Sequence, residues 1–196
     1  MDVSLHPYGH TRIKGKSMQR IAKFEKVSYA EFSKVKLFDE STLRDIYDNI
    51  KLPTRATAHS AGYDFFAPFD ITLKVGEELA VPTGIRVKME DGWVLKIYPR
   101  SGLGFKYRLQ LNNTTGIIDG DYYYSDNEGH IFCKIFNDGR TNKTVEIKQG
   151  DGFCQGIFCE YGITYDDDAT AIRNGGFGST TTRGAAGSVP AHKLDS

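Results

Sequence analysis

Apolar residues recur along this chain with two different periods. Between residues 41 and 50, Leu43, Ile46, Tyr47 and Ile50 fall at i, i+3, i+4 and i+7, which puts one apolar stripe on a helix. Thr42 and Asp45 stand in capping-box fashion at its start, and Pro53 comes shortly after its end. From about residue 60 to 165 the period becomes two. Leu79 and Val81, then Ile85, Val87 and Met89, flank a turn at Pro82-Thr83-Gly84. Val94, Leu95, Ile97 and Tyr98 follow Asp91-Gly92. Ile131, Cys133 and Ile135 alternate with Phe132, Lys134 and Phe136, and Val145 and Ile147 precede a turn at 150–152. Residues 19–28 alternate more loosely and predict one further strand. Short strands split by glycine-rich turns indicate an all-β sandwich or barrel.

Three regions differ in texture. Residues 1–18 are polar and aperiodic and read as a leader or disordered arm, with Met18 an alternative start. Residues 19–172 read as a single β domain, with the 41–50 helix inside it. From residue 173 to 196 the chain is rich in Gly, Ser and Thr, cannot pack a core, and reads on its own as a flexible tail.

Composition narrows the function classes. Lys+Arg and Asp+Glu are both 25, so the formal net charge is zero, which argues against a dedicated nucleic-acid binder. Residues 1–36 nevertheless hold eight basic and three acidic residues, a locally basic arm whose ordinary reading is a solvated segment. No apolar run approaches the ~18 residues that a membrane span needs, and the start lacks a signal-peptide core. Three cysteines without C-x-x-C spacing argue against a disulfide scaffold or zinc site and suit a cytoplasmic location. Glycine is abundant at 21 residues, which fits many turns.

Several motif-like signals fail on spacing. Gly9 to Gly15, followed by Lys16 and Ser17, has five intervening residues where a phosphate loop has four. Asp166-Asp167-Asp168 lacks the pattern of a calcium loop and reads as a solvated turn. The five histidines show no ligand spacing, and no G-x-S-x-G elbow occurs.

Five segments put small and polar residues where strands end: Ser60–Asp64, Pro99–Gly104, Asn113–Tyr122, Gly150–Gln155 and Arg173–Thr180. Each alone reads as a turn or tail. Together they form a chemical inventory. Arg100, Ser101, Gln155, Arg173, Ser179 and Thr180 are donors suited to phosphate oxygens. Neighbouring glycines let backbone N–H groups approach an anion. Phe177 offers a flat face for a base, and Asp119 is a candidate general base. A polyphosphate bearing a ring would use the whole set.

At these five segments the chain resembles the trimeric dUTP diphosphatase (dUTPase) family, from about Pro53 to Thr181, with the five motifs in order. The resemblance implies a jelly-roll β-barrel and a homotrimer whose active sites take motifs from all three subunits. It implies hydrolysis of dUTP to dUMP and pyrophosphate with Mg²⁺, which keeps uracil out of DNA and feeds thymidylate synthesis. Asp119 is similar to the water-activating aspartate. Asp64 is similar to the aspartate near the metal-bound waters, the metal itself being held mainly by substrate phosphates and water. Arg100, Ser101 and Gly102 resemble the grip on the α- and β-phosphates, and Gln155 a further phosphate ligand. Asn113 and the backbone of Gly116, Ile117 and Ile118 resemble the hairpin that reads uracil. Tyr122 resembles the tyrosine beneath the deoxyribose, where it leaves no room for a 2′-hydroxyl. Arg173, Phe177, Gly178, Ser179 and Thr180 resemble the C-terminal lid, Phe177 covering the base and its neighbours holding the γ-phosphate.

The sequence also departs from the family. Residues 123–129 intervene after Tyr122 where the family continues within two residues, an insertion of about five residues expected to lengthen a hairpin. Gly152 stands where the family usually has a basic residue, so a salt bridge there is expected to be absent. The stretch from Gln155 to Arg173 is slightly short, and the first 50 residues have no family role. Two rivals remain. A dCTP deaminase shares the fold but would carry a glutamate where Lys134 stands. A nucleotide-sensing regulatory protein would keep the fold and use the N-terminal helix and the insertion for a partner.

Overall fold

The computed structural model describes residues 18–171 and Arg173, together with the backbone of residues 4–5 and 11–12. β1 (Ser4–Leu5) pairs with β2 (Thr11–Arg12), and β3 (Ala22–Lys26) follows. Two helices come next, α1 (Tyr29–Phe32) and α2 (Glu40–Asp48). Then come β4 (Thr54–Arg55), β5 (Tyr63–Phe66), β6 (Ile71–Leu73), β7 (Glu78–Pro82), β8 (Ile85–Met89) and β9 (Trp93–Pro99). α3 (Ser101–Tyr107) leads into β10 (Gln110–Leu111) and β11 (Gly116–Ile118). A 3-10 helix (Gly120–Tyr124) precedes β12 (Phe132–Phe136), β13 (Val145–Ile147) and β14 (Gly152–Glu160).

The larger sheet has the order β11-β9-β14-β5-β4, and a three-stranded sheet has the order β10-β12-β7. β13 pairs with β6 and β3 with β8. All these pairings are antiparallel, and the described strands make the expected all-β jelly roll. Period-two alternation builds its interior. On β12, Cys133 and Ile135 point inward while Lys134 is exposed; on β8, Ile85 and Val87 are buried. Val81, Leu95, Ile131, Ile135 and Phe153 form the centre of the core.

The helix expected at 41–50 runs instead over Glu40–Asp48. Its cap is Asp39, whose carboxylate accepts the Thr42 N–H at 3.0 Å and the Thr42 hydroxyl at 2.7 Å. The Thr42–Asp45 capping box is therefore corrected: Thr42 already lies in the first turn and is one of the groups being capped. The apolar stripe does face the core, through Leu43 and Ile46, and Tyr47 donates its hydroxyl to Val27 O at 2.7 Å. The Pro82–Gly84 turn also differs from a hairpin, because β7 pairs with β12 whereas β8 pairs with β3. The chain leaves one sheet for another at this corner. The strand expected over 19–28 narrows to Ala22–Lys26, since Ser28 caps α1.

Candidate active site

Two clusters form at opposite ends of β9. At its C-terminal end, Pro99 passes the chain to Arg100, the N-cap of α3, and the Arg100 N–H donates to Phe153 O at 3.1 Å. Pro-Arg-Ser-Gly reads as a turn in sequence but here opens a helix of about two turns, ended by Arg108 in the left-handed region at φ 56°. Ser101 and Gly102 lie exposed in its first turn, where backbone N–H groups have no acceptor within the helix. The Arg100 guanidinium lies 3.4 Å from the Asp64 carboxylate on β5. Asp64 is the register partner of Gln155 on β14, so Asp64, Arg100, Ser101 and Gln155 gather at one edge. Gly152 matters by its size: a Cβ there would sit 2.9 Å from Arg100 Nη1. Arg100 occupies the space that a side chain at 152 would need, and pairs with Asp64.

The second cluster grows from β10 and β11. These strands follow each other in the chain, yet they pair outward, β10 with β12 and β11 with β9. In the described sheets they do not pair with one another. On the β10 side, Leu111 O accepts the Thr114 N–H at 3.0 Å, which turns the chain toward β11. A cleft of about 510 Å³ opens there, lined by Leu111, Asn113, Gly116, Ile118 and Phe132 among others. Asn113 is exposed at its mouth, and Ile117 points outward on the alternate face. A flat ring with donors and acceptors on one edge fits this slot.

Asp119 follows β11 directly and is the N-cap of the 3-10 helix. Its carboxylate makes no side-chain capping bond and is 46% exposed, so it is available to a ligand. The segment after it does not extend the hairpin as expected. Residues 120–124 wind into the 3-10 helix, and the turn beyond them returns to β12. Tyr122 is buried; its hydroxyl donates to His130 O at 2.8 Å and accepts from Asn127 Nδ2 at 2.8 Å. Burial pushes the Tyr122 phenol pKa up, which keeps it neutral. The hydroxyl is thus engaged with protein.

Arg173 reaches back to this cluster. Its Nη2 donates to Asp119 Oδ2 at 2.5 Å and its Nε to Asp121 Oδ1 at 3.0 Å. Its guanidinium carbon lies 5.8 Å from the centre of the Tyr122 ring. The sequence reading places Arg173 on phosphate; the structure places it on two carboxylates, whose spacing suits its planar fork. Phe177, Gly178, Ser179 and Thr180 lie outside the described residues. Among the described residues no group of three His, Cys, Asp or Glu side chains is placed to hold a metal.

The structure does not bring the two clusters together within one chain. Gly116 pairs with Ile97 and Ile118 with Leu95, so Asp119 lies level with Val94. Arg100 lies six residues away along β9, roughly 20 Å at ~3.3 Å per residue. Sequence reasoning also missed Asn127 and His130 as the clamp on Tyr122. In sequence His130 shows only that it lacks metal-ligand spacing, and its burial leaves no mark there. It accepts the Gly84 N–H at Nε2, 2.9 Å away, and desolvation pulls its pKa down to about 4.

Comparison with known proteins adds a second line. The family model described as dUTPase matches residues 48–181. A deoxyuridine 5'-triphosphate nucleotidohydrolase of Lactococcus lactis is 41% identical over 134 residues, covering 67% of this chain and 88% of that protein. The protein of the same name from Mus musculus is 36% identical over 135 residues, covering 65% and 76%. A solved dUTPase from Streptococcus mutans superposes with a TM-score of 0.55 at 36% identity, covering 72% of this chain and 97% of that one. A dUTPase from phage phi11 of S. aureus shares the fold at a TM-score of 0.56 and 20% identity, covering 78% and 98%.

Proposed function

The chain belongs to the dUTPase family and hydrolyses dUTP to dUMP and pyrophosphate, and from that premise we propose how its residues divide the work. The observation that carries the reading is the slot between the unpaired strands β10 and β11, with Asp119 at its exit. Uracil enters the slot and pairs with backbone groups from Gly116 to Ile118, with Asn113 at the mouth. Cytosine would leave those groups mismatched, and unpaired buried polar groups are heavily penalised. The deoxyribose lies on the Tyr122 ring.

Asp119 takes a proton from a water aimed in line at the α-phosphorus. The new P–O bond forms as the bond to the β-phosphate oxygen breaks, and pyrophosphate leaves. Arg100, Ser101, Gly102 and Gln155 bind the phosphates and offset the charge that builds on them. Mg²⁺ supplies further charge neutralisation when bound with the nucleotide. Its ligands would be mainly the phosphates and water, with Asp64 placed to accept hydrogen bonds from that water. Arg173 holds Asp119 and roots the tail, whose Phe177, Gly178, Ser179 and Thr180 close over base and γ-phosphate.

The roughly 20 Å between Asp119 and Arg100 along β9 supports a site shared between chains. In this reading a homotrimer supplies the hairpin and the phosphate grip from different subunits. Lys134, where a deaminase would place its glutamate, is ion-paired with Glu78, which supports no base at that position.

The test is pyrophosphate release by the full chain with Mg²⁺, comparing dUTP, dCTP, dTTP and UTP, with Asp119→Asn as control. Turnover of dUTP alone, lost in Asp119→Asn while dUTP still binds, is the expected result. Ammonia release from dCTP, or turnover that survives in Asp119→Asn, would overturn the assignment.

A further inference from the structure

The insertion at 123–129 and the N-terminal segment have no role in the chemistry above, yet they meet each other directly. Glu128 accepts the Ser28 N–H at 2.7 Å and the Ser28 hydroxyl at 2.5 Å. Tyr123 donates its hydroxyl to Glu25 on β3 at 2.7 Å. Arg86 on β8 lies 3.3 Å from Glu25, 3.9 Å from Glu128, and 4.5 Å from the centre of the Tyr123 ring. One arginine thus touches both partners of the contact. Ser28 is fixed in turn, because its hydroxyl caps α1 by accepting the Glu31 N–H at 3.1 Å. β3 is fixed by five consecutive register pairs with β8.

On its other side the insertion grips the catalytic segment. Asn127 donates to the Tyr122 hydroxyl and accepts the Gly129 N–H at 3.2 Å. At Gly129, φ is +72° and a Cβ would lie 2.8 Å from Tyr122 O and from Tyr123 Cα. The insertion therefore folds flat against the backbone of the 3-10 helix that begins at Asp119. Such a helix is short and weakly bonded on its own. What pins its far end sets where its first residue points.

We propose that β3, α1 and the insertion form a brace, with Ser28 and Glu128 as positioning residues for Asp119. The proposal rests on the reading of Asp119 as the general base. It also explains why the two extra elements of the sequence occur together: each supplies half of one contact. Tyr122 is buried and its hydroxyl is also held by His130 O, outside the insertion, whereas Asp119 is partly exposed. Loosening the brace therefore acts on Asp119 first, and on kcat rather than KM.

Steady-state kinetics of the full chain test this, with Ser28→Ala, Glu128→Ala, their double variant and Glu128→Gln, alongside thermal melting. Glu128→Ala is expected to lower kcat for dUTP about tenfold with KM within about twofold. The double variant should lose no more kcat than Glu128→Ala, because that change already removes both bonds to Ser28, whereas Ser28→Ala removes only the hydroxyl one. Glu128→Gln, which keeps an acceptor for the Ser28 N–H and gains a donor for its hydroxyl, should recover kcat to within about threefold of the unaltered chain. A kcat unchanged within twofold, a loss that appears in KM alone, additive losses in the double variant, or no recovery in Glu128→Gln would each overturn the brace. The unaltered chain and Asp119→Asn run beside them keep the two ideas apart. If the chain turns over dUTP and Asp119→Asn does not, a silent Glu128→Ala refutes the brace alone.

Discussion

Asp119 and His130 show how the same loop serves chemistry and stability through opposite environments. Asp119 keeps its carboxylate partly in solvent, where a water and a phosphate can reach it. His130 is wholly buried against Phe32 and Phe132, with its Nε2 committed to the Gly84 N–H. Protonating it would place a charge in an apolar setting and convert the acceptor of that hydrogen bond into a donor. The nearby Glu128 carboxylate pulls the other way but is the smaller influence. An unfolded histidine titrates near 6.5, and His130 in the fold near 4. The fold therefore prefers the neutral ring. Its contribution is complete above pH ~6.5, shrinks as pH falls, and is lost by about pH 4. The difference is on the order of 3 kcal/mol. Urea denaturation at pH 7.5 and 4.5 should show a clearly larger acid loss in the natural chain than in His130→Gln, which keeps an acceptor but does not titrate. Equal acid losses in the two would show that other groups dominate.

Among the elements, the corner at Pro82–Gly84 ties the N-terminal helices to the barrel. Thr83 donates its hydroxyl to Ile131 O at 2.7 Å, and the Val27 N–H donates to Gly84 O at 3.0 Å. Gly84 has φ +69°, and a Cβ would lie 2.3 Å from Ile50 Cδ1 and 3.3 Å from Phe32. Gly84→Ala should cost on the order of 2 kcal/mol, from the backbone strain and the displaced Ile50 together. A denaturant midpoint that does not move would mean that the α2 end yields freely. This corner also shows the limit of what the sequence makes legible. Period-two alternation marks β7, β8, β9 and β12 well, since each buries one face. It says nothing about which strand pairs with which, so β7 and β8 read as a hairpin and are not one. The glycine-rich start of α3 reads as a turn because glycine has low helix propensity, and the helix it opens is closed by the Arg108 N–H bonding back to Gly104 O. The motif residues were legible because their types suit phosphate, ring and water. The grip of Arg173 on Asp119 and Asp121, and that of Glu128 on Ser28, span 54, 52 and 100 residues and have no local signature.

At the scale of the whole molecule, the separation of Asp119 from Arg100 and Ser101 makes a sharp prediction about shared sites. In the proposed trimer, Asp119→Asn removes the proposed base from every hairpin and Ser101→Ala a donor from every phosphate grip, so each variant alone should be nearly inactive. In a mixed trimer, a hairpin from a Ser101→Ala chain keeps its aspartate. A phosphate grip from an Asp119→Asn chain keeps its serine. If the site draws these two parts from different subunits, equal amounts of the two chains, unfolded and refolded together, give a fully natural pair in about a quarter of the sites, by random assortment around a three-fold axis. Pyrophosphate release should then rise to roughly a quarter of the natural rate, in a species whose mass by light scattering is that of three chains. If both parts came from the same chain, no mixed trimer would hold an intact site, and mixing would restore nothing. The two architectures therefore differ between a large recovery and none. The result does not depend on how strongly either substitution weakens binding, provided that each variant alone is inactive.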